Sequence, residues 1–228
     1  MKKVLFLGAF VAIAMAVSFV SCGNNAEVKK IGEYELFNGQ DGKFGLKLNG
    51  VNILSADYDE ITEKPEYKAI FAQNGSGTAI LAGGTTPIIK AKIASIDPSG
   101  DPDYVYVRTD DRGTYLWKIG TSVTIGPFAD IILTDGFVFL ESSEHAWGAT
   151  TLDLHGLAPR SFEKVYVVKN ADQYAVLVYN KKNGWSMYNK DGVSNGVKYN
   201  TSSKVLEKQL KKFDTSKPCG VLDVDWKL

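Results

Sequence analysis

An aromatic closing position recurs down this chain at a nearly constant step. From Lys43 to Ile61 an aromatic–glycine pair, Phe44-Gly45, is followed by an Asn49-Gly50 turn and then by Tyr58-x-x-Ile61. The closing position returns at Ile93, Phe128, Phe162 and Tyr199, at steps of 35, 35, 34 and 37 residues. A period in the range of about 20–50 residues marks an array of supersecondary units that bury their apolar faces against one another. Helical arrays of similar period are excluded, because strand alternation and turn residues recur every 8–12 residues or so.

Five units follow from this reading. The first has strands at Tyr34–Asn38, Phe44–Leu48 and Val51–Leu54, with Asn49-Gly50 as a two-residue hairpin whose central positions need positive φ. The others start at Tyr67, Tyr104, Phe137 and Tyr174. Their recurring aromatics are Trp117, Trp147-Gly148 and Trp185; the second unit has none. Each closing pair (Tyr58/Ile61, Ile93/Ile96, Phe128/Ile131, Phe162/Val165) sits three apart. That spacing puts the two side chains on opposite faces of a straight strand, so an irregular corner packing both inward is expected. The aromatics read as core between neighbouring units, with an aromatic binding row on one face as the functional alternative. Glycine beside an aromatic lets a crossing strand or ring approach closely.

Lys43-Phe44-Gly45-Leu46, Ala146-Trp147-Gly148 and Gly184-Trp185-Ser186-Met187-Tyr188, with their Asp-Gly or Asn-Gly turns and closing Tyr-Asp-x-Ile, resemble the WG (KWG) repeats of bacterial proteins. The resemblance covers about residues 34 to 200, and only Trp147-Gly148 keeps the full Trp-Gly pair. It implies a repeat protein and no defined reaction. The expected fold is all-β: five tandem antiparallel three-stranded units of about 35 residues in a β-propeller-like array, or an open β-solenoid of stacked hairpins. The repeat domain is expected over residues 33–203. After it, Lys204 to Phe213 has the apolar spacing of a short helix, and Val221 to Trp226 alternates like a closing strand.

The N-terminus is a targeting segment. Met1-Lys2-Lys3 precedes an apolar run from Val4 to Val20, then Ser21-Cys22-Gly23. This order resembles the lipobox of bacterial lipoprotein signal peptides, with Phe19 where the common pattern has Leu. An uncleaved anchor or an ordinary secretory signal are the alternatives, and each exports the rest of the chain. The lipobox resemblance implies that residues 1–22 form the signal peptide, that Cys22 carries the lipid, and that residues 23–32 form a tether to a membrane of the bacterial cell envelope. Cys219 is then the one remaining thiol, which excludes an internal disulfide.

Charge narrows the function. Lys+Arg 26 equals Asp+Glu 26, so the basic surplus that drives counterion release from nucleic acid is missing. His145 and His155 lie ten apart without a zinc-ligand spacing, and Asp97, Asp101 and Asp103 lack the order of a calcium loop. Ser142-Ser143-Glu144-His145 offers a nucleophile type beside a base type, with no nucleophile elbow. No cofactor, metal or catalytic residue is assigned. The expectation is a non-catalytic envelope lipoprotein, membrane-bound through its N-terminal lipid, whose repeats form a protein- or glycan-binding scaffold. The alternative is an envelope hydrolase acting on glycans or peptides through carboxylates in the inter-unit loops.

Overall fold

The computed structural model describes residues 29–171 and 173–226. The expected signal peptide, the expected lipidation site Cys22 and residues 23–28 of the expected tether lie outside the described residues. Among those described, no helix is long and apolar enough to cross a membrane.

The fold is all-β, an antiparallel meander cut into four sheets. The first orders β1 (Lys30–Ile31), β2 (Tyr34–Asn38), β3 (Phe44–Leu48) and β4 (Val51–Tyr58). The second has seven strands: β5 (Glu60–Lys64), β6 (Ala69–Asn74), β7 (Ser76–Leu81), β8 (Ile93–Pro98), β9 (Tyr104–Thr109), β10 (Thr114–Lys118) and β11 (Thr124–Phe128). The third comprises β12 (Asp130–Thr134), β13 (Phe137–Glu141), β14 (Trp147–Thr151) and β15 (Gly156–Phe162). In the fourth, β16 (Lys164–Asn170), β17 (Gln173–Asn180) and β18 (Gly184–Tyr188) precede two helices, α1 (Gly192–Asn195) and α2 (Ser203–Leu210). Finally β19 (Cys219–Asp223) returns to pair in parallel with β16.

The strand count and the sheet count need correction. At three closing segments the expected corner separates two sheets. Tyr58 ends β4, Asp59 turns the corner, and Glu60 begins β5; Phe128, Ala129 and Asp130 repeat this, as do Phe162, Glu163 and Lys164. Each corner N–H bonds forward to the second strand of the next sheet, Asp59 to Gln73, Ala129 to Glu141 and Glu163 to Tyr179. The first, third and fourth units therefore have four strands where three were expected, because the chain keeps bonding on both sides of a one-residue bend. The number of sheets also differs. At the second closing position Ile93 pairs with both Gly77 and Thr109, so the ladder runs through the corner and fuses two units into the seven-stranded sheet.

The ladders locate the repeat directly. Tyr58 pairs with Phe44, Ile93 with Gly77, Phe128 with Thr114 and Phe162 with Trp147. The aromatic position in the third unit is thus Thr114, not Trp117. Side chains alternate across a strand, so a residue three positions on faces the other way. Trp117, 1% exposed, fills the core between the second and third units with Phe71, Ile93 and Val107.

Apolar cores lie between consecutive units. Leu46, Leu54, Ile61 and Ile70 fill the first, and Leu116, Ile131 and Val138 fill the one between the third and fourth units. Trp147, Phe139, Val165 and Val176 fill the next. The last, with Trp185, Tyr166 and Leu177, is closed by Leu206 and Leu210 of α2 and Leu222 of β19. Each corner brings its closing pair into one such core: Ile61, Ile131 and Val165 are buried, while Tyr58, Phe128 and Phe162 pack half-buried against them. At the fused corner this reverses, with Ile93 buried and Ile96 half-buried. Stability passes between neighbours, and the terminal core needs a cap, which the helix supplies. The first strand pair β1–β2 bonds onward to β3, and among the described residues no ladder joins it to the C-terminal sheet.

Candidate functional site

The fourth strand sets the surface of each unit. In the first, β4 lies over β3, with its register slipping between Phe44 and Leu46; β15 lies over β14 with a slip between Trp147 and Ala149. Glycine sits at both slips. A Cβ on Gly45 would come within 2.4 Å of the Phe37 ring and 2.9 Å of the Ala56 nitrogen. One on Gly148 would meet the Ala158 carbonyl at 2.7 Å and the Arg160 nitrogen at 2.9 Å. The third unit has Tyr115 at this position and moves the glycine to the facing strand. A Cβ on Gly126 would lie 2.8 Å from the Thr114 carbonyl and 2.8 Å from the Tyr115 ring. Where bulging backbone crosses, one of the two strands gives up its side chain.

The second and fifth units lack this glycine, with Thr78 and Ser186 in its place. Both also lack a full fourth strand. In the second, contact along β7 reduces to Gly77 with Ile93 and an isolated bridge from Ile80 to Pro87. In the fifth, β18 gains only the bridge from Tyr188 to Lys198 and a bond from the Tyr199 N–H to the Met187 carbonyl. The chain then leaves toward α2, and Trp185 N–H donates to Ser203 Oγ at 2.9 Å. Ser202 caps the helix by accepting from Val205 N–H.

The space that a fourth strand would fill is an open depression of about 500 Å³. Asn183, Ser186, Asn200 and Thr201 line it with amides and hydroxyls, Lys198 with an ammonium, and Trp185 and half-buried Tyr199 with ring surface. Ser202 and Ser203 form its far wall. Nothing acidic is among these residues; the nearest carboxylate bonded to the wall is Glu207, which accepts from Ser203 Oγ at 3.5 Å. The repeat reading named Trp185 and Tyr199 and missed the polar lining. A local signal was present: residues 181–217 carry nine lysines against Asp191, Glu207 and Asp214, whereas residues 1–180 carry 16 Lys and Arg against 21 Asp and Glu. Overall neutrality hid that asymmetry.

The other candidate groups are committed to turns. Thr109 Oγ1 donates to Asp111 at 2.5 Å, holding that carboxyl below its usual range, and Thr151 does the same to Asp153. Asp97 accepts from Ser95 and from Arg108 Nε at 3.1 and 3.2 Å, and Asp101 accepts from Asp103 N–H at 2.9 Å. His145 Nδ1 lies 2.9 Å from Glu141 Oε1 at an exposed hairpin tip, while Ser142 Oγ accepts from Ala146 N–H in the same turn. His155 is used through its carbonyl, which accepts from Thr150 Oγ1 at 2.8 Å. Among the described residues no three His, Cys, Asp or Glu side chains converge as a metal site. Cys219 is buried between the fourth and fifth units, and burial pushes its thiol up to about 12, away from a reactive thiolate.

No protein-family model matches the chain, and no curated protein matches it. Among solved structures the chain is similar to the WD40 β-propeller domain of Doa1, at 10% identity and a TM-score of 0.23, over 75% of this chain and 69% of that one. It is also similar to BBS1N from its complex with ARL6DN, at 12% identity and a TM-score of 0.29, over 75% of this chain and 78% of that one. At these TM-scores the likeness carries no argument.

Proposed function

We propose that the protein is a non-catalytic binding scaffold, a WG-like repeat lipoprotein held in the bacterial cell envelope through Cys22 and presenting its repeat surface to a protein or glycan. The supporting observation is the character of its concave surface. The depression on the fifth unit is open, polar and free of carboxylates, while the loop carboxylates named above serve their own turns. Five units of about 35 residues make up the array in this reading. The pairing of four of the five closing residues, Tyr58, Ile93, Phe128 and Phe162, with the third strand of their units supports that count. The separate sheets with apolar cores between them support a β-propeller-like array, with an open β-solenoid of stacked hairpins as the alternative.

The test uses the full chain expressed in a bacterium. Radiolabelled fatty acid should label the wild type and not Cys22→Ser, and the labelled protein should fractionate with membranes. Detergent-solubilised acylated protein should then retain an envelope protein or glycan. Unlabelled protein, or hydrolysis of glycans or peptides by the purified chain, overturns the reading.

A further inference from the structure

Resting on that scaffold reading, we infer that the depression left by the missing fourth strand of the fifth unit is a binding site for an acidic glycan. Three features meet there. The first is its place in the fold: β4, β11 and β15 cover the third strand of their units, and Tyr199 begins such a strand and then departs. Space of about 500 Å³ stays open beside β18, the edge strand of the fourth sheet.

The second is its lining. Asn183, Asn200 and Thr201 present side-chain amides and a hydroxyl with no partner among the described residues. They suit a ligand dense in hydroxyls, because an amide both donates and accepts. Trp185 contributes little exposed surface, its ring packing against Tyr166 and Tyr179. No aliphatic side chain lines the depression, so it offers no pocket of the kind that selects peptide side chains.

The third is charge. Lys198 lies in the depression, Lys181 and Lys182 adjoin Asn183, and Lys204 follows Ser203. All nine lysines of residues 181–217 are exposed, and none makes an ion pair among the described residues. Unpaired ammonium groups around a neutral hydrogen-bonding floor fit a sugar polymer bearing carboxylate or sulfate. The charges steer it and the floor holds its hydroxyls.

The experiment measures equilibrium binding to the full acylated chain in neutral detergent micelles. The probes are polygalacturonate, heparin, dextran, poly-L-glutamate and phosphatidylglycerol vesicles. The inference expects at least one acidic glycan to bind at least tenfold more tightly than dextran or poly-L-glutamate. Lys198→Glu and Asn200→Ala should each weaken that binding severalfold at unchanged melting temperature, and Lys90→Glu in the second unit should leave it alone. Failure of both acidic glycans to bind overturns the assignment. So does equal binding of poly-L-glutamate, binding to vesicles alone, or glycan binding indifferent to Lys198 and Asn200. The size of the recovered glycan reports separately on the scaffold reading: shortened chains sink that reading, while intact but unbound chains sink only the site.

Discussion

The fourth and fifth units start from nearly the same residues and end differently. Trp147-Gly148 lies under a complete fourth strand, and Trp185-Ser186 lies beside a single bridge. Both tryptophans are buried, at 5% and 8% exposure, so the aromatic serves the core in either case. The glycine follows the crossing backbone instead. It is kept at Gly45 and Gly148, transferred to Gly126, and replaced by Thr78 and Ser186 where no strand crosses. The soft second position of the repeat is thus a record of which units are covered, and the uncovered fifth unit carries the depression.

Removing the aromatic gives the largest expected effect. Trp147→Ala should cost about 3–5 kcal/mol, because the cavity it leaves lies in the apolar core that joins the third and fourth sheets. Denaturant unfolding followed by circular dichroism checks this. A loss under about 1 kcal/mol would mean that the indole is not core. The second position should separate the two units more sharply. Gly148→Val drives a side chain into the Ala158 carbonyl and Arg160 nitrogen and should cost about 1–3 kcal/mol or more. Ser186→Gly should stay within about 1 kcal/mol, since no crossing strand there demands glycine. Equal losses at the two positions would break the link between glycine and coverage.

Much of this was legible in the sequence. The period, the all-β class and the turn at Asn49-Gly50 follow from local chemistry that the tertiary structure does not override. The corner that packs Tyr58 and Ile61 into one core was legible as well, while its role in dividing two sheets at Asp59 shows only in the hydrogen bonding. Trp117 was misplaced because large aromatics face both neighbouring cores, and a soft motif cannot choose between faces of a strand. The depression escaped because it arises from a strand that is missing, and a sequence pattern marks what is present.

The fifth unit also carries the two largest upward pKa shifts, beside smaller ones at Tyr34, Tyr58, Tyr67, Tyr106 and Tyr115 in other units. Burial pushes the Tyr166 phenol up to about 12 and the Cys219 thiol up to about 12. Tyr166 lies in the core capped by α2 and Cys219 in the core shared with the fourth unit. Both folded values stand above the unfolded ones. Their contribution is therefore complete below about pH 9 and drains away as pH rises from there toward 12, by about 1.4 kcal/mol per group for each pH unit. Read at pH 10, the wild type should have lost roughly 1–2 kcal/mol relative to pH 8. Cys219→Ala should show a smaller drop between those two pH values, and an unchanged drop would place the titration elsewhere.

The smallest effect concerns the edge of the depression. Ser202 caps α2, and α2 in turn covers the core that holds Trp185. Ser202→Ala leaves the Val205 N–H without its side-chain partner and should cost about 1 kcal/mol. That loss should appear as faster amide exchange in the first turn of α2 and around Trp185, with exchange around Val138 unchanged. The reason lies in the array itself: cores couple only to their neighbours, so a perturbation at the cap fades before it reaches the core between the third and fourth units. Equal acceleration throughout the described strands would show instead that the sheets open as one body, and the difference between covered and uncovered units would then have no energetic meaning.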